Sequence, residues 1–318
     1  MTNQAQPYAL VFGVSIYDIF GFTDTSFRAY DSNPGRVKVS YGGVCRNIAE
    51  NMARINLNTK FISIVGDDEK GHSIMQHAQT MNFDMSDSLI IEGASTPTYL
   101  AILDEKGEMV SAVVDLKIAD NFTPEFIDSK EEEIVNAEYM FFGADNPGII
   151  EYIVKKYYGK TNFVLDPVSA AKAVKLKHLL PYFHTIKPNR HEAEVLCGFS
   201  LNNTEDVKNA GRFFLELGVK KVFISLDAEG IYYYDGTNEG IIKSENCSVV
   251  NVTGAGDSLV AGIAYGYLHD LPINETVKFS VAMSVITISH EATIHPNMSL
   301  PLVEECIATA DWKETVFS

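Results

Sequence analysis

Short apolar runs alternate with longer segments of helical periodicity along most of this chain. The apolar runs at residues 8–15, 61–66, 139–143, 162–166, 185–187 and 221–226 are typical of buried strands. Apolar residues recur at helical spacing in residues 45–55, 71–81, 147–157, 190–197, 207–217, 255–268, 273–290 and 302–309. This succession predicts a doubly wound α/β fold, in which helices cover both faces of a mostly parallel central sheet.

A second pattern, the alternation of polar and apolar residues, occurs early in the chain. Residues 36–41 alternate like a half-exposed strand, and residues 96–103 and 108–116 do so on either side of a turn. Residues 16–40 are polar, aromatic and rich in turn formers, with a break at residues 31–35, and residues 231–234 and 241–243 indicate a late antiparallel addition. We therefore expect a single domain, residues 1–318, with a small β-sheet lid formed by insertions at about 16–41 and 95–118.

Composition and charge exclude several classes of protein. The chain has 318 residues, 46% hydrophobic and 21% charged, as is usual for a globular protein. Its formal charge of −17 argues against a nucleic-acid partner, because binding to a phosphate backbone requires clustered Lys and Arg. The four cysteines are far apart and form no Cys-x-x-Cys pair, which favours a reducing compartment and no zinc site. With no basic leader and no apolar run near the roughly 20 residues that span a bilayer, we expect a cytoplasmic protein without a membrane partner.

Residues 253–257, Thr-Gly-Ala-Gly-Asp, form a polar turn that opens directly into an apolar helical segment. Small residues allow successive N–H groups to point at one spot, and the helix that follows adds the positive end of its dipole. The turn is therefore a candidate anion site. Taken alone, it is equally compatible with an ordinary helix start in which Asp257 serves only as a cap.

Other polar residues and glycines also follow predicted strands. In an open α/β sheet, ligands bind beyond the carboxyl ends of the strands. Each residue alone is compatible with turn chemistry or a helix cap, but their joint placement predicts one ligand site. They are Asp18, Gly42, Gly43, Asn47, Asp166, Asn189, Glu192 and Asp227.

Two motifs in this chain resemble the signatures of the PfkB (ribokinase-like) family of carbohydrate and nucleoside kinases. The C-terminal signature is matched by residues 251–258, Asn-Val-Thr-Gly-Ala-Gly-Asp-Ser, followed by Ala261 and Gly262. The N-terminal signature is matched by Gly42-Gly43, Asn47 and Ala49, with Gly66 beyond them. The resemblance covers nearly the whole chain. It implies a ribokinase-like fold and transfer of phosphate from ATP, with Mg²⁺, to a hydroxyl of a small sugar or nucleoside.

The resemblance also implies a role for each site residue. Asp257 would be the catalytic base, beside an anion hole formed by the turn Gly254, Ala255 and Gly256. Glu192 and Asn189 would organise Mg²⁺ through waters, with Asp166 as a weaker candidate. The nucleotide side would comprise Lys187, Asn189, Ser225, Asp227, Gly230, Thr253, Gly254 and Gly256. Asp18, Gly42, Gly43 and Asn47 would hold the sugar hydroxyls, and Thr98 and Asp115 on the lid strands would contact the base or cover the site.

Within the family, residues 31–55, 95–99, 107–109, 164–172 and 185–194 most resemble the members that phosphorylate the 5′-hydroxyl of pseudouridine. This C-nucleoside presents one more N–H than uridine, and we expect Asp115 or a neighbour to recognise that donor. Asn251 replaces the family's usual Asp, which argues against a K⁺ site of the ribokinase type. Two alternatives remain: another sugar or nucleoside kinase, such as ribokinase, an inosine/adenosine-type kinase or fructokinase, or a catalytically silent relative that senses a ligand. Relatives commonly form homodimers through their lids.

Overall fold

The computed structural model describes residues 7–245 and 247–317 and contains two main sheets. The strands are β1 Ala9–Phe12, β2 Ile16–Thr23, β3 Gly35–Gly42, β4 Thr59–Ile62, β5 Ile64–Gly66, β6 Leu89–Ile91, β7 Thr98–Leu103, β8 Met109–Asp115, β9 Tyr139–Phe142, β10 Asn162–Leu165, β11 Thr185–Ile186, β12 Lys221–Ser225, β13 Ile231–Tyr234, β14 Glu239–Glu245 and β15 Asp311–Phe317. The helices are α1 Val44–Arg54, α2 Glu69–Met81, α3 Pro124–Asp128, α4 Glu131–Asn136, α5 Pro147–Lys156, α6 Ala170–Leu176, α7 Arg190–Cys197, α8 Thr204–Glu216, α9 Ala255–Leu268, α10 Ile273–Ile288 and α11 Leu300–Thr309.

The central sheet has nine strands in the order β15-β14-β13-β12-β11-β10-β9-β1-β4. The six strands from β4 to β12 are parallel to their neighbours, and β13, β14 and β15 extend the sheet in antiparallel fashion. The predicted doubly wound α/β fold with a mostly parallel sheet is therefore confirmed. The last strand, β15, was not predicted; most of its residues are exposed, and they form a strand by pairing with β14.

Helices cover both faces of this sheet. Along β1, Leu10 and Phe12 pack into one core, and Ala9 and Val11 pack into the other, as the alternation of side chains in a strand requires. Helices α5–α8 bury apolar residues in the first core, and α1, α2, α9, α10 and α11 do so in the second. Buried apolar surface thus fixes α1 and α9 on the same face of the sheet, and their N-termini carry the two sequence motifs. No helix within residues 7–245 and 247–317 is long and apolar enough to cross a membrane.

The second sheet, which we call the lid sheet, has four strands in the order β3-β2-β7-β8. Its central strand β2 falls in the segment that the sequence indicated only as polar and turn-rich, so that interpretation was wrong for residues 16–23. Most of β2 is half-buried on both faces, so it lacks the clear alternation that marks a strand with one buried face. Similarly, the predicted strand at residues 61–66 is divided between β4 in the central sheet and β5, which pairs with β6.

Candidate active site

The glycine turn lies at the N-terminus of α9. Gly254 caps this helix with φ of 85°, a left-handed conformation that glycine adopts without strain. A Cβ at this position would lie 2.0 Å from the carbonyl oxygen of Thr293, so position 254 has no room for a side chain. A Cβ on Gly256 would lie 3.0 Å from the Nζ of Lys187. The turn is therefore closely packed, with a cation beside it.

Asp257 is the third residue of α9 and is 8% exposed. Its Oδ2 accepts a hydrogen bond of 2.8 Å from the Nδ2 of Asn47 in the first turn of α1, so the two sequence motifs meet at this contact. Gly254 occupies the cap position of α9, and no side chain caps the helix there, so Asp257 is not the simple cap that the sequence alone allowed. Burial raises the pKa of Asp257 to about 7, against the opposing effect of the Asn47 hydrogen bond. A carboxyl group with this pKa can accept a proton near neutral pH.

A buried ion pair lies next to the turn. Lys187 follows β11 and is bound to Asp166, which follows β10, with 2.9 Å between Nζ and Oδ2. The other oxygen of Asp166 accepts a hydrogen bond from the backbone N–H of Val168. Burial disfavours the charge of Lys187, but the pairing with Asp166 outweighs it and keeps the pKa of this lysine above its usual value. The site thus contains a fixed positive charge, whereas a lysine at a strand end is more commonly exposed.

Asn189 and Glu192 form a capping box at the start of α7. The side chain of Asn189 accepts from the backbone N–H of Glu192, and both Glu192 oxygens accept hydrogen bonds from Asn189. Burial, and then the charge of Asp166, raise the pKa of Glu192. In the part of the chain that the structure describes, no three His, Cys, Asp or Glu side chains are close enough to hold a metal directly. Because Mg²⁺ retains several waters in nucleotide-binding sites, Glu192 and Asp166 are compatible with it as partners of those waters.

Asp18 of β2 lies against the glycine pair that precedes α1. A Cβ on Gly42 would lie 2.1 Å from the Oδ2 of Asp18, and one on Gly43 would lie 2.5 Å from the carbonyl oxygen of Val14. Gly43 has a φ of 96° and a backbone neighbour, so only glycine fits there, whereas a side chain at position 42 would displace the Asp18 carboxylate. Burial raises the pKa of Asp18 to about 6, although the charge of Arg46 opposes this shift. Asp18 and Asn47 together offer an acceptor and a donor for hydroxyl groups.

The residues predicted to contact the substrate do not all lie on the same face of the lid sheet. Residues directly opposite one another point to the same side, so Tyr99 shares a face with Asp18, whereas Thr98 and Asp115 lie on the other face with Tyr17. The Thr98 hydroxyl accepts a hydrogen bond of 2.8 Å from the Nζ of Lys70. Asp115 is exposed at the end of β8 and accepts from the backbone N–H of residue 117. The register therefore does not bring Thr98 and Asp115 together with Asp18.

Several residues that were predicted to bind the nucleotide lie at the carboxyl end of β12 and in the loop that follows it. Ser225 forms a β-bridge with Asn189, which joins this loop to the start of α7. Asp227 is exposed and has φ of 52°, and Gly230 has φ of 100°. A Cβ on Gly230 would lie 2.4 Å from the carbonyl oxygen of Ile242, so this glycine allows β14 to approach closely. Thr253, which was also predicted to bind the nucleotide, donates its backbone N–H to the Oδ1 of Asn251.

Two charged residues at this site were not among the predicted ones. Asp145 follows β9 and forms an ion pair of 2.5 Å with Lys172, and its side chain is 14% exposed. Its position after a buried strand is the same signal that indicated Asp166, so sequence reasoning could have found it. Arg46 is almost completely buried between Glu50 and Asn47. No sequence signal marked it, because arginine in a helix is usually exposed.

The geometry combines a buried carboxyl group of pKa near 7, a helix start behind a closely packed glycine turn and a buried lysine at one edge of the sheet. Deprotonating a hydroxyl group while stabilising a transferred phosphoryl group requires these elements. Residues 6–300 match the model of the pfkB family carbohydrate kinases, and the chain belongs to this family. It is accordingly a phosphotransferase that acts on an alcohol group, and the family implies ATP as the phosphate donor.

Individual relatives cover almost the full chain. Pseudouridine kinase from Escherichia coli (strain K12) is 34% identical over 306 residues, which are 96% of this chain and 97% of the relative. Ribokinase from Staphylococcus aureus (strain COL) is 28% identical over 270 residues, covering 83% of this chain and 86% of the relative. A candidate sugar kinase from Clostridium perfringens has a crystal structure with a TM-score of 0.95 and 56% identity, covering 99% of this chain and all of that one. Ribokinase from Arabidopsis thaliana with ribose and ATP shares the fold, with a TM-score of 0.81, 19% identity and coverage of 95% and 99%.

Proposed function

We propose that this protein transfers the γ-phosphoryl group of ATP to the 5′-hydroxyl of pseudouridine. The observation that carries the kinase chemistry is the buried carboxylate of Asp257, held by Asn47 beside the glycine turn. The similarity to pseudouridine kinase over 96% of the chain supports the choice of acceptor. Asp18 and Asn47 would bind the ribosyl hydroxyls, and the neighbouring glycines would allow the sugar to approach the backbone.

In the proposed mechanism, Asp257 accepts the proton of the 5′-hydroxyl as the oxygen attacks the γ-phosphorus, the bond from the γ-phosphorus to the β,γ-bridging oxygen breaks, and ADP leaves. The backbone N–H groups at the start of α9 stabilise the charge that develops on the phosphoryl oxygens. Lys187 adds a positive charge beside Gly256. The lid sheet covers the acceptor and excludes water, which limits hydrolysis of ATP.

Mg²⁺ belongs to this proposal as a partner of the nucleotide phosphates. Glu192, Asn189 and Asp166 would hold its waters, which suits a cation that loses its hydration shell reluctantly. When bound, the ion neutralises charge on the phosphate oxygens. Asn251 donates its side-chain amide to the carbonyl oxygen of Glu291 and accepts from Thr253, so this residue is engaged within the protein where a K⁺ site would need a carboxylate.

A panel of acceptors tests the choice of substrate. ADP release would be followed with ATP, Mg²⁺ and, in turn, pseudouridine, uridine, inosine, adenosine, ribose and fructose. We expect the highest kcat/KM for pseudouridine. A higher value for free ribose, or for another nucleoside or sugar, would assign the protein to one of the alternative kinases. Absence of turnover with stabilisation by a ligand would favour the silent, ligand-sensing relative, and thermal shifts with an unreactive ATP analogue would detect that binding.

Asp115→Ala tests recognition of the base. The extra N–H of pseudouridine needs an acceptor, and we proposed Asp115 or a neighbour for this role. Loss of one such hydrogen bond should reduce the preference for pseudouridine over uridine in kcat/KM by about tenfold. Asp120→Ala, which removes another exposed carboxylate outside the lid strands, serves as the control. Asp115 and Asp18 lie on opposite faces of the lid sheet, and unchanged discrimination in Asp115→Ala would contradict the role proposed for Asp115.

We also propose that the protein forms a homodimer through the lid sheet. Exposed aliphatic residues form a row on the face away from Asp18: Val39 and Leu100 flank Ile19, and Val113 pairs with Leu100. A monomer would leave this apolar row in water. Val39→Glu should convert the dimer to a monomer in sedimentation velocity, whereas Val174→Glu, at an exposed position on α6, should not. A wild-type protein that sediments as a monomer at all concentrations contradicts this proposal.

A further inference from the structure

A continuous chain of polar side chains runs along α1 to Asp257. Arg54, whose side chain is 19% exposed, donates a hydrogen bond of 2.8 Å from its Nε to the Oε1 of Glu50, and its Nη2 forms an ion pair of 2.7 Å with the same oxygen. The Oε2 of Glu50 accepts from the Nη1 of Arg46 at 2.6 Å, and the Nη2 of Arg46 donates to the Oδ1 of Asn47 at 2.9 Å. Asn47 then donates to Asp257 at 2.8 Å. The proposed base is thus connected to the half-buried end of α1 by hydrogen bonds.

The central pair of this chain is costly to bury. The side chains of Arg46 and Glu50 are each 4% exposed, and the Nε of Arg46 is buried without a hydrogen-bond partner among the described residues. Apolar residues of similar volume would usually contribute equal or greater stability than a buried ion pair. A contribution to folding alone therefore does not explain why a charged residue precedes Asn47.

We propose that Arg46 is a positioning residue for phosphoryl transfer and acts on Asp257 through Asn47. The inference rests on the proposed role of Asp257 as the base. A carboxamide has one acceptor end and one donor end, and a carboxylate can only accept. Because the guanidinium of Arg46 holds the oxygen of Asn47, the amide nitrogen must face Asp257. Without Arg46, the carboxamide oxygen loses its donor, so the Asn47 side chain is no longer fixed in the orientation that directs its nitrogen to Asp257.

The charge of Arg46 acts in the same direction as this hydrogen bond. The charged and titratable groups that face Asp257 are Asp166 after β10, Lys187 after β11, and Cys45 and Arg46 on α1. Burial and Asp166 raise the pKa of Asp257, whereas the Asn47 hydrogen bond, Lys187 and Arg46 lower it. Removing Arg46 takes away one cation and loosens the Asn47 bond. Both changes favour the protonated carboxyl group, so the base becomes active only at higher pH.

The pH dependence of kcat/KM for ATP-dependent phosphorylation tests the proposal, with Arg46→Met and Arg54→Met as a matched pair. Each variant removes one arginine from Glu50, but only Arg46 contacts Asn47. For Arg46→Met we expect the acidic limb of the pH profile of kcat/KM to shift to higher pH by about one unit. We also expect kcat at pH 7 to fall about tenfold. For Arg54→Met we expect a lower Tm and an unmoved limb. An unmoved limb in Arg46→Met, or an equal shift in both variants, overturns the proposal.

Two further variants keep the test decisive if Arg46→Met folds poorly. Arg46→Met/Glu50→Gln leaves no unpaired carboxylate and should show the same shift of the limb. Arg46→Lys keeps the charge but cannot hold Glu50 and Asn47 with a planar fork, so the limb should stay near its wild-type position while kcat falls. Wild-type kcat in folded Arg46→Lys also overturns the proposal. If Asp257→Asn retains kcat, the proposed role of Asp257 as the base fails and the inference fails with it; if Asp257→Asn loses kcat but the Arg46 variants behave like wild type, only the positioning role of Arg46 fails.

Discussion

Replacing Asp257 with Asn should lower kcat by about 10²–10⁴-fold, the usual contribution of a positioned general base. Asparagine has nearly the same shape and retains an oxygen for the Asn47 hydrogen bond, but it cannot accept the hydroxyl proton. The loss should appear in kcat rather than in KM for either substrate, because the missing interaction belongs to the transition state. Initial rates of ADP release at saturating ATP and acceptor measure it.

Stability provides the control for this variant. The folded-state pKa of Asp257 is raised to about 7, whereas the carboxyl group of an unfolded chain ionises at about pH 4, so the folded protein loses stability as pH rises from about 4 to 7 and bears the full cost above pH 7. A neutral Asn avoids this cost, and at pH 8 the variant should unfold at the same or a higher temperature than wild type. In wild type, kcat/KM should fall below about pH 7 as the base becomes protonated. Undiminished kcat in a folded Asp257→Asn variant would show that another group accepts the proton.

Gly254→Ala should reduce kcat by about a hundredfold or more, because it displaces the backbone that forms the anion hole. The new Cβ would lie 2.0 Å from the carbonyl oxygen of Thr293, and the left-handed φ of 85° is unfavourable for alanine. The start of α9 must therefore shift, which moves its N–H groups away from the phosphoryl oxygens. One such donor contributes roughly 3–4 kcal/mol to the transition state. Steady-state kinetics with ATP as the varied substrate should show the loss mainly in kcat.

Gly159→Ala is the matched control for this substitution. Gly159 has a similar φ of 76°, but a Cβ there would meet no atom within 4 Å, and the residue lies between α5 and β10. Both variants share the backbone strain, so both should lose a modest amount of stability. Only Gly254→Ala should lose activity. Equal kcat for the two variants would mean that the turn before α9 does not contribute to phosphoryl transfer.

The sequence predicted the fold class correctly because its evidence was local. Buried strands and amphipathic helices leave periodic patterns, and the central sheet of this chain consists mainly of such elements. The strands β2 and β15 escaped prediction because neither has a buried face that the sequence could reveal. Both are strands because they pair with other segments of the chain. β2 pairs with β3 and β7, and β15 pairs with β14.

The candidate site, like the fold, was predicted only in part. The glycine turn and Asn47 were predicted by their motifs, and the structure joins them through the hydrogen bond between Asn47 and Asp257. The burial of Lys187 and Arg46 depends on tertiary packing, so no pattern in the sequence distinguishes them from surface charges. The separation of Thr98 and Asp115 from Asp18 follows from strand register, which requires the pairing of β2 with β7 to be known. Their predicted contacts with substrate therefore stay predictions.

Phosphorus NMR of a reaction containing the wild-type protein, ATP, Mg²⁺ and pseudouridine tests whether this chain is a kinase of the proposed specificity. The proposed mechanism predicts one new phosphomonoester resonance, coupled to the two protons at C5′, that appears in step with ADP. The same reaction with Asp257→Asn should show this product only at a trace level. Release of inorganic phosphate without a phosphomonoester, or phosphorylation at another hydroxyl group, would contradict the proposed function.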